Sequence, residues 1–86
     1  RAFSSCYNLT NIDIPNSVTS IEDSAFSNCR NLKNIKIPKS VWKMQNNVFE
    51  SCRQLTIYCE VESKPDNWLD YWNPSNCDVI WNYKEN

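Results

Sequence analysis

Apolar residues recur along this chain at two alternating spacings, and the whole alternation repeats 23 residues later. Ala2-Phe3, Cys6, Leu9, Ile12, Ile14-Pro15, Ser17-Val18 and Ile21 return as Ala25-Phe26, Cys29, Leu32, Ile35, Ile37-Pro38, Ser40-Val41 and Met44. A third copy opens with Val48-Phe49, Cys52 and Leu55. Self-similarity at a fixed period of this length is the signature of a solenoid, in which each unit buries its apolar side against the next.

Each unit divides into three parts. In Ala-Phe-x-x-Cys-x-x-Leu the apolar positions fall three or four apart, which predicts a short helix or 3₁₀ turn with one inward face. Phe3, Phe26 and Phe49 are expected to stack as an aromatic column. In Leu-x-x-Ile-x-Ile the apolar residues alternate with polar ones, as Ile12 and Ile14 do with Asn11 and Asp13, which is strand periodicity. Like strands one coil apart run parallel, so the pattern predicts a parallel sheet with isoleucine inside and polar residues outside. Pro15 and Pro38 end the strands. Ser-Val-x-x-Ile/Met then returns the chain along the far side, with Val18 and Ile21 inward. Trp42 stands where the first copy has Thr19 and is expected to pack against a neighbouring turn.

The third copy is one residue shorter. Leu55 to Ile57 spans two steps where Leu9 to Ile12 spans three, so Ile57 and Cys59 take the inward places of Ile12 and Ile14. After Glu60 the repeat gives way to different material. Glu62 to Pro65 reads as a loop, and Asp66-Asn67 as the cap of a short helix carrying Trp68, Leu69, Tyr71 and Trp72. Asn73-Pro74 stops that helix, and Val79 to Trp81 reads as a last strand. The organisation expected is repeats over residues 1–59 and a C-terminal cap over 60–86.

Composition narrows the picture. An 86-residue chain is one domain at most, with nine basic and ten acidic residues and a formal charge of -1. No basic block stands out, which argues against nucleic acid, and no apolar run is long enough to cross a bilayer. The chain opens at Arg1-Ala2, inside a repeat unit and without a signal peptide, and so reads as the C-terminal end of a longer protein. There are five cysteines and no histidine. Cys6, Cys29 and Cys52 fall on the repeat and are expected as a buried thiol column. Cys59 and Cys77 fall outside it and could pair as a disulfide. Without histidine or a Cys-x-x-Cys pair, a metal site is poorly supported. The chain also has no glycine, so turns needing a positive φ must use other residues, with Asn46 and Asn47 as candidates. Asn8, Asn31 and Gln54, each just before the unit's leucine, are expected to stack as an amide ladder that satisfies buried groups.

These residues resemble the BspA-like, or Treponema pallidum-type, leucine-rich repeats. The matching motif is Ile-x-Ile-Pro-x-Ser-Val-x-x-Ile-x-x-x-Ala-Phe-x-x-Cys-x-x-Leu. It runs almost complete from Ile12 to Leu32, and again from Ile35 to Leu55 with Met44 and Val48 as departures. Ile57 to Glu60, Lys64-Pro65, Trp68, Trp72 to Pro74 and Val79 to Trp81 look like the cap that ends such arrays. Glu22 and Gln45 stand where the family often has glycine. The resemblance implies an α/β solenoid, a right-handed leucine-rich-repeat coil with short parallel strands and short helical or 3₁₀ turns. It also implies a surface or secreted protein that binds host or neighbouring-cell proteins, matrix and plasma glycoproteins among them.

No catalytic set is present. Ser-His and Cys-His pairs need histidine, no glycine-rich phosphate loop exists, and the carboxylates are scattered through the repeats, so neither an enzyme nor a cofactor is expected. The residues free to carry function are those the repeat leaves variable on the outward sheet face. One row is Asn11, Asn34, Thr56 and Asp78; the next is Asp13, Lys36, Tyr58 and Ile80. A protein-binding module using Asp13, Lys36, Tyr58, Ile80, Asn11 and Asn34 on a concave face is the leading expectation. A structural spacer or end plate is the alternative, and carbohydrate binding through Trp42, Trp68, Trp72 and Trp81 a third reading. The N-terminal coil lacks a covering neighbour, so self-association through it is also expected.

Overall fold

The computed structural model describes residues 8–84. Six short strands form: β1 (Asn11–Asp13), β2 (Ser20–Ile21), β3 (Asn34–Ile37), β4 (Lys43–Met44), β5 (Thr56–Cys59) and β6 (Asp78–Ile80). They build two parallel sheets, β1-β3-β5-β6 and β2-β4. Ile12 pairs with Ile35, Ile35 with Ile57, and Ile57 with Val79. The register thus absorbs the one-residue loss of the third unit, and Ile37 meets Cys59 as expected.

Between the sheets lies one core. Ile35, Ile37, Leu32, Val41, Met44, Val48, Phe49, Ile57 and the thiols of Cys29, Cys52 and Cys59 are all buried in it. Phe26 stacks on Phe49 with centroids 5.7 Å apart and planes 9° from parallel. Phe3 and Cys6, the expected first members of their columns, lie outside the described residues. Trp72 continues the aromatic column instead, edge-on to Phe49 at 6.0 Å.

Where the spacing predicts a short helix or 3₁₀ turn, turns form and no helix does among the described residues. The Ala-Phe-x-x-Cys segments are successive i to i+3 turns, with the amides of Ala25, Ser27 and Cys29 bonded to the carbonyls of Glu22, Ser24 and Phe26. Ser24 and Asn28 interrupt them with φ of 59° and 62°, and Asn47 and Ser51, one repeat on, with 60° and 63°. A helical ladder cannot propagate through a left-handed residue. These turns instead bond to the next coil, where Ser24, Phe26 and Asn28 donate to the carbonyls of Asn46, Val48 and Glu50. Of the two asparagines expected at positive φ, Asn47 is there and Asn46 is not; Ser24 and Ser51 occupy the conformation without any sequence warning.

Trp68 to Trp72 is likewise not helical. Trp68 bridges Met44 in parallel and extends the β2-β4 side by one rung, while the Leu69 amide bonds the Met44 carbonyl. The Trp68 ring is fully buried, and its Nε1 donates to the Val41 carbonyl at 3.2 Å. Trp68, Trp72 and Trp81 pack together with centroids 5.0 to 6.0 Å apart. Asn73 holds the following turn: its Nδ2 donates to the Cys77 carbonyl and its Oδ1 accepts from the Cys77 amide, both at 2.9 Å.

Three further expectations are corrected. Cys59 and Cys77 are free thiols, and Cys77 is no outsider to the thiol column. Its Sγ donates to the Cys52 carbonyl at 3.0 Å, as the Cys52 Sγ does to the Phe26 carbonyl. Trp42 packs against no turn closely enough to be covered and stays 54 % exposed. Asn8, Asn31 and Gln54 are exposed rather than buried; the amide pair that stacks across coils is at the first strand position, Asn11 and Asn34.

Candidate functional site

Alternation places every second residue of β1, β3, β5 and β6 on the outward face of the larger sheet. Pairing then aligns those residues across the coils. Asn11, Asn34, Thr56 and Asp78 form one row, and Asp13, Lys36, Tyr58 and Ile80 the next. All six residues singled out from the sequence therefore share one face. Within the first row the Asn34 Nδ2 donates to the Asn11 Oδ1 at 2.7 Å. Within the second, the Lys36 ammonium lies 4.0 Å from the Asp13 carboxylate. Ile80 is exposed beside Tyr58.

The sequence gives no sign of Tyr83, which belongs to the same face. After β6 the chain reverses at Asn82, where φ is 58°. The Asn82 amide bonds the Val61 carbonyl and the Tyr83 amide the Cys59 carbonyl. These bonds lay the Tyr83 ring against Tyr58, 5.0 Å between centroids. The Lys36 ammonium stands 5.8 Å from the Tyr83 centroid, within cation–π reach. Tyr83 thereby walls an open depression of about 440 Å³ lined by Asn11, Asp13, Asn34, Lys36 and Tyr58. On its other side lies a smaller one of about 220 Å³ reaching Pro38 and Glu60. An asparagine in a tail after the last strand is the only local hint of such a reversal.

Across these rows the backbone is regular and the side chains, the Asn11–Asn34 pair aside, differ from coil to coil. The model of a known family, described as BspA type leucine rich repeat region (6 copies), matches residues 1–69. The chain belongs to the BspA-type leucine-rich-repeat family. No curated protein and no solved structure matches it. Within this chain the inward column of this face keeps isoleucine at Ile12, Ile35 and Ile57, whereas the second outward row changes from Asp13 to Lys36 to Tyr58. Tyr58 and β1 to β5 fall inside the matched span; Ile80 and Tyr83 lie beyond it.

The chemistry on offer is non-covalent. The depression presents two phenol rings, one ammonium, one carboxylate and an amide pair. The thiols of Cys29, Cys52 and Cys59 lie elsewhere, inside the coil. Burial pushes Cys52 up to about 12, with the neighbouring Cys29 and Cys77 thiols adding to the rise, and burial alone pushes Cys59 up to about 12. Thiols so raised stay protonated at neutral pH and act as weak donors rather than nucleophiles. Among the described residues no group of three or more acidic or cysteine side chains is placed to hold a metal, and no helix is long and apolar enough to cross a membrane. Trp68 and Trp72 are buried and have no face to offer a sugar ring.

Proposed function

We propose that this chain is a protein-binding module of a surface or secreted, adhesin-like protein, and that the outward face of the larger sheet makes the contact. Leucine-rich repeats generally mediate protein interactions, and solenoids commonly use their sheet face to do so. The observation that carries the reading is the Lys36-Tyr58-Tyr83 cluster. Tyrosines held rigid beside a cation supply contact area at little entropic cost, and such groups dominate protein interfaces. Asp13, Asn11, Asn34 and Ile80 surround the cluster as a mixed rim.

The test is surface plasmon resonance of the 86-residue chain against a panel of immobilised matrix and plasma glycoproteins. Saturable binding to at least one is expected, and Lys36→Glu with Tyr58→Ala should weaken it about 30-fold, the effect of losing about 2 kcal/mol at a dominant contact. Equal binding by the double variant removes the face from the contact; no saturable binding by the parent removes the reading.

One observation favours a second reading, that of a spacer and end plate. Trp68, Trp72 and Trp81 pack together and against the core, an arrangement that would suit a unit shielding the last interior layer of a solenoid. In that case the double variant leaves adhesion unchanged, whereas replacing Trp68 unfolds the chain.

A further inference from the structure

A second surface stands apart from the face just described. Arg30 and Arg53 occupy the same place in successive coils. They are bracketed by the left-handed pair Asn28 and Ser51 on one side and by the buried pair Leu32 and Leu55 on the other. Their backbones are therefore one coil apart, about 5 Å. Lys33 follows on the same corner, its carbonyl bonded to the Thr56 amide at the start of β5. All three cations are exposed, and none has a side-chain hydrogen bond or ion pair among the described residues. Glu50, three residues before Arg53, makes no ion pair with either arginine.

The contrast with the outward face is informative. There, charges stacked one coil apart are opposite, as Asp13 and Lys36 are. On this corner they are alike, in a chain whose net charge is -1. Like charges at coil spacing repel, and an anion lying across both relieves that repulsion. The exposed amides of Asn31 and Gln54 directly follow the two arginines. Guanidinium groups and amides alternating at coil pitch suit a chain carrying both anionic groups and hydroxyls. Among the described residues no exposed aromatic ring belongs to this corner, so they supply no stacking platform of the kind single-stranded nucleic acid needs.

We infer that the Arg30–Arg53–Lys33 corner is a binding ledge for an anionic polysaccharide, with sulfate or carboxylate groups bridging the two guanidinium groups. The ledge is separate from the proposed protein-binding face and does not depend on it.

Heparin serves as the probe, immobilised on agarose, with single-stranded DNA on cellulose as the comparison. Three forms of the 86-residue chain are loaded at about 50 mM salt, where screening is modest: the parent, Arg30→Glu/Arg53→Glu, and Lys39→Glu/Lys43→Glu. The two variants change the formal charge equally, and both keep the buried Trp68, whose fluorescence reports the fold. The parent and the Lys39/Lys43 variant should be retained on heparin, and the Arg30/Arg53 variant should bind about tenfold more weakly or flow through. Flow-through of the parent, or equal loss in both variants, overturns the ledge. Stronger retention on DNA than on heparin overturns the choice of ligand.

Discussion

Cys77 donates its thiol to the Cys52 carbonyl at 3.0 Å, repeating one coil later the bond that Cys52 makes to Phe26. The two cysteines are 25 residues apart rather than 23, yet they occupy successive rungs of one column. Removing a rung should be felt. Cys52→Ala loses a buried donor bond and leaves a small void, and should cost about 1–2 kcal/mol in urea denaturation. Cys77→Ala, half-buried at the end of the column, should cost less.

Alkaline pH should destabilise the fold through the same thiols. Cys52 and Cys59 are raised to about 12 in the folded chain, whereas an unfolded thiol titrates near its ordinary value of about 8.5. Below that value both states hold the proton and the full stability is present. Above it the unfolded state releases protons first, so stability falls as pH rises toward 12. Each of the two thiols adds to the fall across that window. Urea midpoints from neutral pH to pH about 11, in the parent and in a Cys52→Ala/Cys59→Ala variant, separate this from tyrosine and lysine titration. The variant should show the shallower fall.

Phe49 is fully buried between Phe26 and Trp72. Phe49→Ala should cost about 3–5 kcal/mol, a large share of the stability of so small a domain. Loss of the cooperative urea transition, or a midpoint shift of that size, is the expected result. A shift below about 1 kcal/mol would mean that the aromatic column is not stacked.

At the N-terminal end Ile12, Ile14 and Val18 are only partly buried and help line an apolar groove of about 270 Å³ with Ile21, Ala25 and Phe26. The outer edge of β1 pairs with no strand among the described residues. The chain should therefore self-associate as concentration rises. Light scattering should show a mass that grows with concentration, and Ile14→Lys should return it toward the monomer.

The columns were legible because identical side chains at a fixed interval admit one stacking register. Even the shortened third unit could be placed, since Ile57 and Cys59 keep the alternation. Three features were not legible. Ser24 and Ser51 adopt positive φ because coil-to-coil backbone bonds hold them there, a long-range cause with no local mark. Cys77 joins the thiol column although five positions, not three, separate it from the aromatic residue before it, because the Asn73 side chain takes up the extra turn. Tyr83 reaches the outward face through one reversal at Asn82 and two backbone bonds to residues more than 20 positions away. No repeat contains that reversal, so no repeat announces it.

Proximity of Tyr58, Tyr83 and Lys36 is the arrangement on which the proposed contact surface rests. Two-dimensional nuclear Overhauser spectroscopy of the chain reads it directly. Cross-peaks from the Tyr83 ring to the Tyr58 ring and to the Lys36 side chain, abolished by Tyr83→Ala without loss of the Ile35–Ile57 contacts, are the expected result. A Tyr83 ring at random-coil shifts, with no cross-peak to either residue, would contradict it.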